Sequence, residues 1–184
     1  MPALLMKSYN IYSRIKFIGL IISGIFLFGM MVFIVLDVLS RNFLSRSIPG
    51  NYEIVRYYFM PLALFPGVAY AYGTGIFPRI TMIVSKLSKK IQKFIVIVLL
   101  IVELILFSLI AYFGLQYGLH GIEEGLAFPA GGKMYPLYPF IFLVPIGFAM
   151  LIIEIIFLII KNLLSDGPSL TVTGDVEEEV IPNQ

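Results

Sequence analysis

Residues 37–56, Asp37-Val38-Leu39-Ser40-Arg41-Asn42-Phe43-Leu44-Ser45-Arg46-Ser47-Ile48-Pro49-Gly50-Asn51-Tyr52-Glu53-Ile54-Val55-Arg56, join two long apolar runs. Phe17 to Leu36 carries no charge, and Ile54 to Tyr72 is broken only by Arg56. Each run approaches the roughly 20 apolar residues that a spanning helix needs. The joining stretch holds four charges at helical spacing. Asp37 and Arg41 are four apart, Glu53 and Arg56 three apart, so each pair shares a helix face. An antiparallel helical hairpin would place Arg41 level with Glu53 and Asp37 level with Arg56. Ionisable groups beside hydrocarbon are costly unless they pair or reach water. Two readings follow: an ion site, or a lock that holds two helices together. Matched depths and the scarcity of other polar groups favour the lock. Ile48-Pro49-Gly50-Asn51 is a turn signal, with Asn51 placed to cap the second helix and Glu53 in its first turn.

Composition agrees with a membrane protein. The chain of 184 residues is 59% hydrophobic and 13% charged, about half the charge of a soluble domain. Two further runs qualify as spans, giving four at about 17–36, 54–72, 94–115 and 137–160. The expected fold is an all-α membrane protein, one domain over residues 1–165, with a disordered cytoplasmic tail over 166–184 that is polar and acidic. The first run is longer than a signal-peptide core of about 7–15 residues, and no A-x-A site follows. It therefore reads as a retained signal anchor. Lys7, Arg14, Lys16, Arg79, Lys86, Lys89, Lys90, Lys93 and Lys161 fall on one side of the spans. Arg41, Arg46 and Lys133 fall on the other. The positive-inside bias then predicts both termini inside.

Residues 79–93 show a helical stripe. Ile80, Ile83, Val84, Leu87 and Ile91 keep to one arc, which Phe94 and Ile95 continue, and Lys86, Lys89, Lys90 and Lys93 lie opposite. This predicts an amphipathic interfacial helix whose lysines meet anionic membrane lipid. An ordinary basic loop is the plainer alternative. Pro61 and Pro66 predict a kink in the second span. Gly118–Pro136 reads as irregular chain.

The sequence offers little chemistry. It has no Cys, one His, and no P-loop, G-x-S-x-G or H-E-x-x-H, so an enzyme, a cofactor and a disulfide are not expected. His120 with Glu123 and Glu124 is a weak metal pattern. Nothing in the small net charge of +2 points to nucleic acid. Glu103 and Glu154 are intramembrane acids. Each is either a proton carrier or a group facing a partner helix across a packing face, with Glu154 close enough to the inner end to snorkel or meet Lys161. Four helices enclose too little to form a path for a large substrate, and their apolar surface exceeds what one bundle buries. A subunit docked on a larger membrane protein fits best. The alternative is a self-assembling tetraspan structural or channel protein lined by Glu103.

The order Asp37-Val38-Leu39-Ser40-Arg41-Asn42-Phe43, then Ile48-Pro49-Gly50-Asn51-Tyr52-Glu53-Ile54-Val55-Arg56-Tyr57, resembles the small membrane subunit, DctQ-like, of tripartite ATP-independent periplasmic (TRAP) transporters. The resemblance runs on through Gly67-Val68-Ala69-Tyr70-Ala71 and Met134-Tyr135-Pro136, over roughly residues 10–162. It departs from the family at Gly75–Met82, which lacks the usual His and Asp, and at Glu154, where a basic residue is common. The resemblance implies a multi-pass subunit of the bacterial inner membrane, with four spans, both termini inside and an interfacial helix. It implies a large membrane transport subunit and a periplasmic substrate-binding protein as partners. The implied activity is sodium-coupled uptake of an organic acid such as a carboxylate or sialic acid, moved by the large subunit. In that setting the charged hairpin (Asp37, Arg41, Glu53, Arg56) would also border a partner, and the loops 42–52 and 118–136 would help dock the binding protein.

Overall fold

The computed structural model describes residues 3–75, 88–164 and Val172. Helix α1 runs from Ala3 to Leu44 without interruption, and α5 runs from Lys89 to Glu123. At 1.5 Å per residue they are about 63 and 52 Å long, so both outrun a hydrocarbon layer of about 30 Å. Neither contains proline, and in hydrocarbon an unbroken helix satisfies every internal backbone group. Between them the second apolar run is a chain of short pieces. These are α2 (Asn51–Ile54), a π-turn (Val55–Phe59), α3 (Met60–Leu64) and α4 (Val68–Gly73). A β-hairpin follows α5, with β1 (Ala127–Ala130) and β2 (Lys133–Pro136), then α6 (Tyr138–Ile141) and α7 (Leu143–Leu164). Among the described residues three helices are long and apolar enough to cross a membrane: α1, α5, and α6 with α7 taken together.

The expected second span is thus segmented. Pro61 directly follows the π-turn in helical backbone that runs unbroken from Asn51, and, lacking an N–H, it cannot carry on the bonding that Met60 N–H makes to Val55 O. Pro66 is the break: α3 ends at Leu64 and α4 begins at Val68. The exposed backbone of the break is covered by two glycines. A Cβ on Gly19 of α1 would lie 2.1 Å from the Pro66 carbonyl oxygen. One on Gly147 of α7 would lie 3.0 Å from that of Phe65. Helices α5 and α7 pack along a second small-residue seam. Gly114 faces Val144 and Pro145, Gly118 faces the Phe142 ring, and Gly121 meets Ile141. Small residues let helix backbones approach closely where lipid supplies no hydrophobic drive.

The core lies at the end of the molecule where α1 begins and α7 finishes. Tyr9 and Tyr12 of α1, Ala69 and Tyr72 of α4, Val96 and Leu100 of α5, and Leu151, Ile155 and Leu158 of α7 form one buried cluster. One face of α1 ahead of Lys16, carrying Tyr9 and Tyr12, therefore packs into the core.

Three expectations need correction or fall outside the description. Residues 79–87 of the expected interfacial helix, Lys86 included, and the tail beyond 164 apart from Val172, lie outside the described residues. Lys89, Lys90 and Lys93 belong to the first turns of α5, so that stretch continues into the long helix. The chain between Ala127 and Pro136 is a regular antiparallel hairpin, not irregular loop. Phe128 pairs with Tyr135 and Pro129 with Met134. Gly131 and Gly132 form its turn at φ +56° and +80°, the left-handed region a tight hairpin requires.

Candidate functional site

Two polar clusters stand at opposite ends of the fold. At the hairpin end, Asp37 is the organising group. Its Oδ2 lies 2.5 Å from Arg41 Nη2 on the same helix, and its Oδ1 accepts the Ile48 backbone N–H at 2.6 Å. Asp37 is buried although Arg41 is exposed, because the chain folds back over the carboxylate. Ser45, at φ +52°, ends α1 and starts the reversal. The Arg46 N–H and the Ser40 hydroxyl then close it against each other's carbonyl partners, Ser40 O and Arg46 O. Gly50, at φ +77°, is the N-cap of α2. Asn51 is instead the first helical residue and is buried. Its Oδ1 is buried without a hydrogen-bond partner among the described residues.

This reversal touches the β-hairpin. A Cβ on Gly50 would sit 2.7 Å from Ala130 Cβ, and one on Gly131 would sit 2.9 Å from Pro49 Cβ. Beneath the contact Phe128 is buried among Tyr57, Tyr58 and Tyr135, at ring distances of 4.6, 5.2 and 6.0 Å. Tyr58 stacks on Phe140 at 4.0 Å and donates to the Pro136 carbonyl at 2.8 Å. Tilted and offset ring pairs of this kind add about 0.5–1.5 kcal/mol each to plain burial.

The expected cross-helix pairs do not form. Arg41 pairs with Asp37 rather than Glu53, and Arg56 is exposed with its guanidinium 5.2 Å from the Tyr57 ring. Glu53 is half-buried, and neither it nor Arg56 makes an ion pair among the described residues. The reason is register. Because the loop folds back on α1, Ile48 lies against Asp37 and Phe59 stacks on Phe33. Glu53 is therefore held between the levels of Phe33 and Asp37, and Arg41 lies a turn beyond it.

At the other end a second cluster is deeper. Lys16 Nζ lies 2.6 Å from Glu154 Oε2, with side chains 4% and 0% exposed. Lys16 also donates to the Tyr9 hydroxyl at 3.1 Å, and that hydroxyl donates to Glu154 Oε1 at 3.0 Å. The ammonium sits 4.9 and 5.1 Å from the Tyr9 and Tyr12 ring centres, within cation–π range. Tyr12 donates to the Met150 carbonyl at 2.5 Å. Gly73 closes the site from α4. A Cβ there would fall 2.6 Å from Lys16 Nζ and 2.7 Å from Glu154 Oε1. Its neighbour Tyr72 donates to Glu103 Oε2. Both acids of the later spans are thus addressed from the last turn of α4.

This replaces the expectations for Glu154. It neither meets Lys161 nor faces a partner: it is enclosed by the chain itself, opposite Lys16. Glu103 is half-buried and shares only one side with Tyr72. Sequence reasoning missed Tyr9, Tyr12, Lys16 and Gly73. The first three did carry a signal, since their spacing of three and four puts them on one helix face. His120 lies 3.1 Å from Glu124, the residue that caps the end of its own helix. Among the described residues no three His, Asp or Glu come together as a metal cage would require. The deeper cluster holds its acid between donors that tie α1 to the last helix, and at the hairpin end Asp37 holds the following loop back on α1.

Residues 30–165 match the family model described as tripartite ATP-independent periplasmic transporters, DctQ component. Neither the comparison with curated proteins nor that with solved structures found a match.

Proposed function

Since the chain belongs to the DctQ-component family of tripartite ATP-independent periplasmic transporters, we propose that it is the small scaffold subunit of such a transporter, seated in the bacterial inner membrane. The observation that carries this is the family match over residues 30–165, which takes in the last third of α1 and every element from α2 to α7. Its role is to anchor a large membrane transport subunit and to help a periplasmic binding protein dock. The large subunit moves the substrate, an organic acid such as a carboxylate or sialic acid, together with sodium ions.

The apolar lining of the cleft between the helices supports a scaffold over a carrier. This cleft, about 210 Å³ between α1, the Phe65–Gly67 break and α7, is lined by Ile18, Ile22, Ile146 and similar apolar side chains, whereas the larger groove with Gln116, His120 and Glu123 is an open surface of α5 alone. A carboxylate would enter it unpaired and at high cost. In this reading α2 to α4 form a fourth, broken crossing, and both termini lie inside. The β-hairpin and the loop it touches then face the binding protein. Lys90 and Lys93 face the inner leaflet, and Asp37, Arg41, Glu53 and Arg56 border the partner.

The test is affinity purification of the full chain from membranes of cells that also express the large membrane protein encoded with it. We expect the two to elute together at fixed stoichiometry. A homo-oligomer free of that protein, conducting ions by itself in liposomes, would contradict the reading.

A further inference from the structure

The face of α5 next to its glycine seam is left open. Gly114, Gly118 and Gly121 turn toward α7 and α6. On the neighbouring face Leu99, Leu106, Ile110, Phe113 and Tyr117 are 41–61% exposed. With Glu103 they run 99, 103, 106, 110, 113, 117. Those alternating steps of four and three are the seam of a left-handed coiled coil. The single polar member is Glu103. Tyr72 serves its Oε2, and its other oxygen has no partner among the described residues. An acid at such a position typically fixes register against a matching donor on the facing helix.

Resting on the component reading above, we propose that this seam seats one membrane helix of the large transport subunit, which presents a side-chain hydrogen-bond donor, cationic or hydroxyl, to Glu103. Two observations favour a protein helix over lipid. A hydrocarbon chain leaves the free carboxyl oxygen unserved at high cost. The same seam also continues beyond the apolar run past Gln116 and Tyr117 to His120, where acyl chains no longer match the surface. The Glu103–Tyr72 bond holds the carboxyl at one rotamer, ready for the second donor.

The experiment uses full-length chain carrying a photo-crosslinking amino acid at Leu106 or Ile110, co-expressed with the large subunit, with Ile25 of α1 as comparison site. Crosslinks from 106 and 110 to the large subunit, at least fivefold stronger than from 25, are expected. Glu103→Leu should cut co-purification at least threefold, and Glu103→Gln, which still accepts a hydrogen bond, should keep most of it. Lipid adducts or self-dimers at 106 and 110, with the large subunit captured from another face, would overturn the seam while leaving the component reading intact. Absence of the large subunit from wild-type preparations would instead overturn the component reading and the seam with it.

Discussion

Lys16→Met is expected to destabilise the chain by about 3–5 kcal/mol, because it strands a fully buried carboxylate. Glu154 is 0% exposed and receives its two described donors, Lys16 Nζ and the Tyr9 hydroxyl, from α1. Removing the ammonium also takes away the cation that lies over both tyrosine rings. The loss falls at the centre of the core, where α1, α4, α5 and α7 meet, so it should be felt by every helix. The double change Lys16→Met with Glu154→Leu should recover most of the stability. A buried ion pair gains little over apolar groups of similar volume once desolvation is counted, whereas half of one is strongly unfavourable. Unfolding in mixed micelles, followed by far-UV circular dichroism for the two singles and the double, reads this directly. A double variant no more stable than Lys16→Met would show that the pair is not the coupled unit described.

Gly19→Ala should destabilise by about 1–3 kcal/mol, while Gly24→Ala, one and a half turns along the same helix, should stabilise by a few tenths to about 1 kcal/mol. Alanine is the better helix former at both places. What differs is the neighbour. At Gly19 the new methyl would meet the Pro66 carbonyl at 2.1 Å, and that oxygen is backbone that cannot rotate aside. At Gly24 nothing lies within 4 Å. The opposite signs isolate the cost of pushing α1 away from the Phe65–Gly67 break. Equal effects at both positions would mean that the break does not rest on α1. The same unfolding assay measures it.

Much of the architecture could be read from composition. The apolar runs at 17–36 and 94–115 lie within long helices, most of 137–160 lies in α7, and Pro66 marks the interruption of the second run. What stayed hidden depends on how the chain folds back. Helix α1 continues to Leu44, and the Ile48 N–H returns to Asp37, which shifts the second segment along α1 and separates Arg41 from Glu53. Depth matching assumed a plain connection and could not contain that shift. The β-hairpin was masked by Pro129 and Pro136, which read as loop, although Gly131-Gly132 is itself a hairpin turn signal. Lys16 and Glu154 are separated by 138 positions. Their pairing needs one face of the basic α1 segment ahead of the first apolar run to be core, and with three positive charges in residues 7–16 that segment has no long apolar run to announce it. The Tyr72 partner of Glu103 was not legible, since that contact depends on where the broken segment resumes as α4.

The central claim is that the chain is one component of a transporter and carries no substrate itself. The direct test is uptake of the organic anion that the cognate periplasmic binding protein binds. It compares cells lacking only this chain with the same cells carrying it on a plasmid. The account predicts that uptake falls to background without the chain, although the large subunit and binding protein are still produced, and returns with the plasmid copy. Undiminished uptake in the deletion strain would contradict it.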